Sequence, residues 1–327
     1  MPMIRLKTLD LPLVVQSPMA NCTDLPFRLI ARSKGMQFAF LEMISSEALI
    51  RSTRETLRMM QTLPEEQPVG CQLVGCDAAV MGEAAATVEA MGFATVDMNL
   101  GCPVPKIVSN GGGSQLLREP DTARRIFTAV VRAVRRIPVT VKMRLGYRDA
   151  SGAEAAHIAR IAQDCGVDAI AVHGRTREQG YTGVADYEAI GRVKQAVSIP
   201  VFGNGDVVDG PSAVRLRRIS GCDGVMVGRG ALGNPWLYRE LDAALADAPT
   251  PAPPTFEQRK ATVLEHIALA CRYDERPLGP LRRVTCWYFR DLPGVKQFRD
   301  AVHRAQTVEE IRDLVAAFVP YEPSLGS

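Results

Sequence analysis

The sequence predicts an α/β fold, a (β/α)8 TIM barrel followed by a small C-terminal helical bundle, and three observations lead there. Eight short apolar runs rich in β-branched residues recur up to Val227, with helical periodicity in the stretches between them. Strict alternation of strand and helix implies parallel pairing through right-handed crossovers, and eight such units in about 250 residues match a closed barrel. Beyond residue 248 the strand signals stop and only helical patterns follow. A doubly wound open sheet is the alternative, disfavoured because no GxGxxG follows the first strand.

The expected strands are residues 13–15, 38–41, 69–74, 95–98, 139–143, 169–172, 200–202 and 224–227. Helical stretches at 78–91, 121–136, 153–164 and 187–197 separate them, several starting near an Asp or Ser suited to capping. Residues 247–255 hold four prolines (Pro249, Pro251, Pro253 and Pro254), which block regular structure and make a stiff linker. Helices are expected at 256–273, 280–290, 295–304 and 308–318. The expected domains are therefore 1–248, a barrel, and 256–327, a helical unit, joined by 249–255.

Composition narrows the function classes. With 46% hydrophobic and 23% charged residues, the 327-residue chain reads as an ordinary globular protein. No apolar run has the length of a membrane helix and the N-terminus lacks a leader pattern, so a cytoplasmic protein is expected. The eight cysteines form no CxxC and no Cys/His cluster, which argues against a metal site or a disulfide framework. Cys165 and Cys222 sit in apolar contexts and read as inert. A formal charge of +3 does not by itself argue for nucleic acid. The interval 259–304, however, carries ten Lys/Arg against five Asp/Glu, a local basic excess.

In a barrel the chemistry lies where the strands end. The tips read Ser17-Pro18-Met19 after strand one, Gln72 in strand three, and Asn99 with Cys102 after strand four. Strand five ends in Lys142 and Arg144, and strand six in His173-Gly174-Arg175-Thr176. Strand seven ends in Asn204-Gly205-Asp206, and strand eight in Gly228-Arg229-Gly230. Glycine turns after strands seven and eight let backbone N–H groups approach an anion, and Arg229 adds charge, which points to a phosphate. Lys142 and Arg144 alternate with Met143 and so project to one side of their strand. His173 reads as a ligand contact, against the alternative of a hydrogen-bonded core histidine. Cys102, on a loop running to Gly111-Gly112-Gly113, lies near these cations; residue types alone leave open a nucleophile, a general acid or an idle thiol.

These motifs, in this order and spacing, resemble those of the tRNA-dihydrouridine synthases, FMN-dependent barrel reductases. The resemblance runs from Ser17-Pro18-Met19-Ala20 through Asn99-Leu100-Gly101-Cys102-Pro103 and Lys142-Met143-Arg144 to His173-Gly174-Arg175-Thr176. It continues in Asn204-Gly205-Asp206 and Gly228-Arg229-Gly230 and ends in Arg282-Arg283 and Trp287-Tyr288. Ser17 stands where the family more usually has alanine.

The resemblance implies reduction of the C5–C6 bond of a D-loop uridine in tRNA to 5,6-dihydrouridine. FMN would give hydride to C6, the Cys102 thiol would protonate C5, and NADPH would restore the flavin. It also implies that Ser17, Pro18, Met19, Gln72, Lys142, His173, Asn204, Gly205, Asp206, Gly228 and Arg229 hold FMN. Asn99, Arg144, Arg175 and Tyr181 would hold the uridine, Arg282 and Arg283 the tRNA, and the glycine loop after Cys102 would be a lid. No metal is expected. Trp287 and Tyr288 read as packing residues of the bundle, and Arg290 and Arg299 as further phosphate contacts. Two other readings stand beside this one. They are an FMN barrel acting on a free pyrimidine, in the manner of dihydroorotate dehydrogenases, and a non-catalytic RNA-binding protein on a retired barrel.

Overall fold

The computed structural model describes residues 3–320. Eight parallel strands close into a barrel, each formed where an expected apolar run lies. They are preceded by an antiparallel hairpin that periodicity had not suggested, β1 (Met3–Leu6) and β2 (Leu9–Pro12). The hairpin presses Leu6 and Leu11 into one cluster with Val15, Phe38, Phe40, Phe202 and Met226, which fill the lower lumen. The barrel thus has an apolar plug at its N-terminal end.

The ring consists of β3 (Val14–Gln16), β4 (Ala39–Phe40), β6 (Val69–Val74), β7 (Thr95–Leu100), β8 (Val139–Arg144), β9 (Ala169–His173), β10 (Val201–Asn204) and β11 (Gly224–Val227). The two-residue β5 (Ile44–Ser45) pairs with the outgoing end of β6. Closure comes from β4, which pairs with both β3 and β6. Two glycines make room for the aromatic plug. A Cβ on Gly70 would sit 2.6 Å from the Phe40 ring, and one on Gly224 would sit 2.4 Å from the Phe202 ring.

Register sets the neighbours at the upper end. Gln72 lies opposite Asp97, Asp97 opposite Thr140, and Asn99 opposite Lys142. Arg144 lies opposite His173, His173 opposite Asn204, and Asn204 opposite Met226. Because alternate strand residues share a face, the lumen changes upward from apolar to polar within two residues of each strand. Helices wrap the outside over the main apolar core.

The prolines of 247–255 join helix Leu237–Leu245 to helix Phe256–Tyr273, which starts with a capping box between Thr255 and Gln258. Helices Leu278–Tyr288, Val295–Arg304 and Val308–Ala317 complete a bundle with its own core, in which Phe256, Phe289, Phe298 and Phe318 stack at 4.7–6.0 Å. Trp287 packs against this core and the barrel's core at once. Backbone contact is close there: a Cβ on Gly233, at φ +70°, would lie 2.3 Å from the Trp287 backbone. Arg58 pairs with Asp274 at 2.9 Å across the same junction. No helix among the described residues is long and apolar enough to cross a membrane.

A buried ion pair anchors the loop that follows β3. Arg28 donates to Glu66 at 2.6 and 3.0 Å, and also to the Thr23 and Gln61 carbonyls. Both side chains are essentially inaccessible. Removing one partner leaves the other charged and alone in a low dielectric. Glu66→Ala is therefore expected to lower unfolding stability by about 3–5 kcal/mol, whereas the paired change Arg28→Met with Glu66→Leu is expected to cost far less. Urea unfolding of the three proteins checks this, and equal losses would contradict it.

Candidate active site

The strand tips surround a cavity of about 720 Å3 at the C-terminal mouth of the barrel, a size typical of ligand pockets. Of the expected site residues, Ser17, Pro18, Met19, Gln72, Asn99, Cys102, Lys142, Arg144, His173, Tyr181, Asn204, Gly205, Asp206, Gly228 and Arg229 all line it. Arg175, Arg282 and Arg283 do not.

Cys102 follows β7 by two residues, and its backbone is held on both sides. Asn99 Oδ1 accepts from the N–H groups of Gly101 and Cys102 at 3.0 and 2.8 Å. The Cys102 carbonyl accepts from the Ser114 N–H at 3.1 Å. Gly113, at φ +59°, lies against that carbonyl, where a Cβ would come within 2.7 Å. The expected lid is thus replaced by a shelf: Gly113 and the buried turn Gly113–Arg118 support Cys102 from outside the cavity. Burial raises the thiol above its ordinary value, outweighing the lowering by the Val104 N–H and Arg144. The thiol therefore remains protonated at neutral pH although cations stand nearby.

Lys142 stands beside Asn99 in the register and makes no hydrogen bond or ion pair with any described residue. Burial pushes its ammonium down to about 8, with Arg144 adding to the effect and Asp97 opposing it. His173 falls to about 2 through burial and the neighbouring Lys142, Arg144 and Arg175, so it is neutral. Arg175 Nη1 faces His173 Nε2 at 3.4 Å and can only donate, which leaves the ring proton on Nδ1.

Two arginines serve the architecture. Arg175 is buried and takes Asp206 at 2.7 and 2.9 Å together with the Thr182 and Gly183 carbonyls. It joins the loops after β9 and β10 and reaches the cavity only through His173 and Asp206. Arg144 donates to the carbonyls of Gly101, Thr176 and Gly180, leaving Nη2 without a described partner. Its guanidinium lies 5.5 Å from the Tyr181 ring, and that of Arg229 lies 4.2 Å from the same ring. Tyr181, 58% exposed, stands at the rim.

The turns after β10 and β11 bring bare backbone to the wall. Gly205 has φ +132°, and a Cβ there would meet Ala185 at 2.6 Å. A Cβ on Gly228 would point to Met19 and Asn204 at 3.8–3.9 Å.

The bundle also reaches the mouth, through Trp287 and Arg290. Trp287, expected as a packing residue, both packs and lines the cavity. Tyr288 is buried with its hydroxyl 3.0 Å from His266 Nδ1. Arg282 donates to the Ala305 carbonyl at 2.5 and 3.2 Å, and Arg283 to the Asn21 carbonyl at 3.3 Å. Sequence reasoning missed Cys22, Met43, Val208 and Leu232 in the wall, which follow strands or turns without a polar signature. It also assigned no role to Asp97 and Thr140. Their signal was the alternation that puts them one lumen layer below Asn99 and Lys142.

The unpaired Lys142 charge costs stability. Its value is depressed from 10.5 to about 8, so the group favours the folded state only when neutral: the cost is full below pH 8 and disappears as pH rises to about 10.5. Lys142→Met is expected to stabilise the ligand-free protein by about 2–3 kcal/mol at pH 7, with the gain shrinking through pH 8–10. Denaturant unfolding at several pH values checks it; a gain independent of pH would contradict it.

A family model described as dihydrouridine synthase matches residues 15–320. The tRNA-dihydrouridine synthase B of Xanthomonas campestris pv. campestris is 40% identical over 300 residues, covering 91% of this chain and 90% of that protein. The protein of the same name from Pseudomonas aeruginosa is 37% identical over 313 residues, covering 94% and 93%. Histamine dehydrogenase from Rhizobium sp. 4-9 shares the barrel fold at a TM-score of 0.59 and 13% identity, covering 82% of this chain and half of that one. A 2-naphthoyl-CoA reductase complex does so at 0.55 and 10%, covering 76% and 52%. The chain belongs to the dihydrouridine synthase family of flavin-dependent oxidoreductases.

Proposed function

We propose that this protein reduces a D-loop uridine of tRNA to 5,6-dihydrouridine, using FMN as the bound flavin and NADPH as the source of electrons. One observation carries the reading: the half-buried Cys102 thiol and Lys142, which pairs with no described residue, stand on adjacent strand tips in one open cavity. The family match and the names of the related proteins support the tRNA substrate.

The donor set fits a flavin. Lys142, without a partner, suits the negative charge that collects on the N1–C2 side of a reduced isoalloxazine. Gln72 and neutral His173 offer uncharged hydrogen bonds to the ring or its side chain. The bare turns at Gly205 and Gly228, with Arg229 beside them, suit the phosphate. FMN bound here would supply hydride to C6 of the uracil.

The residues then divide the remaining work. Cys102 gives its thiol proton to C5, which requires that it stay protonated up to that point. Asn99 retains one amide hydrogen, and Arg144 retains Nη2, for the uracil edge. Tyr181 stands at the rim where a base entering from outside would pass. The target base must leave its stack, at a cost of a few kcal/mol. Trp287 and Arg290 on the bundle side of the mouth suit a grip on the RNA around it, and the exposed Arg283 and Arg299 of the same bundle offer further phosphate contacts. A free pyrimidine would need no such wall.

Purified protein with FMN and NADPH is expected to form dihydrouridine in unmodified tRNA transcripts, read by mass spectrometry of nucleosides. Cys102→Ala is expected to take up FMN normally, seen by its yellow absorbance, and to lose about 10²–10⁴-fold in rate. Equal product from mutant and wild type would contradict the general-acid role. A wild type that reduces free uracil derivatives but not tRNA would return the reading to a small-molecule barrel reductase.

A further inference from the structure

We propose that Asp97 is a positioning residue for Cys102: it supplies the terminal acceptor of a directed hydrogen-bond column that holds the Gln72 and Asn99 amides in place beneath the Cys102 N–H. The proposal rests on the reading of Cys102 as the proton donor. Asp97 is 1% exposed, lies one layer below the cavity and does not itself line it.

The column rises from the lumen. Thr140 Oγ1 donates to Asp97 Oδ1 at 2.6 Å, and Gln72 Nε2 donates to Asp97 Oδ2 at 2.7 Å. Gln72 Oε1 accepts from Asn99 Nδ2 at 2.7 Å. Asn99 Oδ1 accepts from the N–H groups of Gly101 and Cys102.

The direction is forced at both ends. Backbone N–H groups only donate, so Asn99 must turn Oδ1 to them and Nδ2 to Gln72. Gln72 must then present Oε1 upward and Nε2 downward, where only an acceptor satisfies it. An ionised carboxylate is acceptor-only and provides that without ambiguity. Without it Gln72 Nε2 is buried with no acceptor, Gln72 shifts to satisfy it, and its hold on Asn99 Nδ2, and through Asn99 on the Cys102 N–H, loosens. The carbonyl side of the same turn is held separately, Gly101 by Arg144 and Cys102 by the Ser114 N–H. Loss of the column therefore loosens the thiol without dissolving the loop.

Two substitutions separate direction from charge. Asp97→Asn removes the charge but keeps an acceptor for Gln72, with its NH2 donating to the Thr140 hydroxyl. Asp97→Leu has similar size and no acceptor. The first readout uses flavin-free protein: the rate of iodoacetamide alkylation of Cys102, followed peptide by peptide in the mass spectrometer. The second is the split between kcat and KM for tRNA in the FMN-loaded enzyme. Asp97→Leu is expected to speed Cys102 alkylation about tenfold and to lower kcat about tenfold with KM unchanged. Asp97→Asn is expected to stay within about twofold of wild type in both.

Wild-type behaviour in a folded Asp97→Leu protein would overturn the proposal. So would an Asp97→Asn protein as damaged as Asp97→Leu, because charge would then be the cause. Should Asp97→Leu fail to fold, the Asp97→Asn result decides alone: retention supports the column, and a tenfold loss overturns it. A wild-type enzyme that makes no dihydrouridine would sink the functional reading, while the alkylation arm would still judge the column.

Discussion

A closed parallel barrel admits only every second residue of each strand to its lumen, and the register between strands decides which of them touch. Here that constraint stacks three kinds of layer. Phenylalanines admitted by Gly70 and Gly224 fill the bottom, a carboxylate with its amide and hydroxyl donors fills the middle, and a thiol with Lys142, Arg144 and Arg229 occupies the top. A slip of one residue in β7 would turn Asp97 and Asn99 outward, and a slip in β8 would do the same to Lys142 and Arg144. Every property of the site descends from this register.

The electrostatics of the top layer follow from burial more than from any single pair. His173, Lys142 and Arg144 lie close together at positions largely withdrawn from solvent, so the two that can give up charge are driven toward neutrality. His173 is held neutral and Lys142 is brought to about 8, within reach of physiological pH. Partial burial acts in the opposite direction on Cys102, where desolvation of a thiolate outweighs the attraction of Arg144. An acid and a cation therefore coexist side by side, as an oxidoreductase needs when it must accept negative charge and give up a proton in one turnover.

Much of this was legible in the sequence. The eight apolar runs, the proline linker and the four helices after it all correspond to observed elements, because β-branched runs and helical periodicity report local structure directly. The polar strand tips were legible for the same reason: a polar residue that ends an apolar strand has few places to go in a barrel. What periodicity did not reveal was contact across space. The strands of the hairpin at residues 3–12 are only four residues each, too short for their alternation to stand out, and Asp97 looks like any strand residue until Gln72 and Thr140 are seen beside it. The resemblance implied that Arg175 holds the substrate, yet its partner Asp206 draws it away from the cavity wall. The glycines after Cys102 suggested mobility, whereas they allow close packing under its carbonyl. Trp287 shows the reverse case, a residue that packs the bundle and faces the cavity.

The account turns on the state of one sulfur atom. The most direct measurement is the pH dependence of Cys102 alkylation in flavin-free protein, resolved from the other cysteines by peptide mass spectrometry. A rate that rises with a midpoint above the ordinary thiol value of 9.0 is the predicted result, since burial raises Cys102 despite Arg144. A midpoint near or below neutrality would show a thiolate facing the cations, and Cys102 could not then serve as the proton donor.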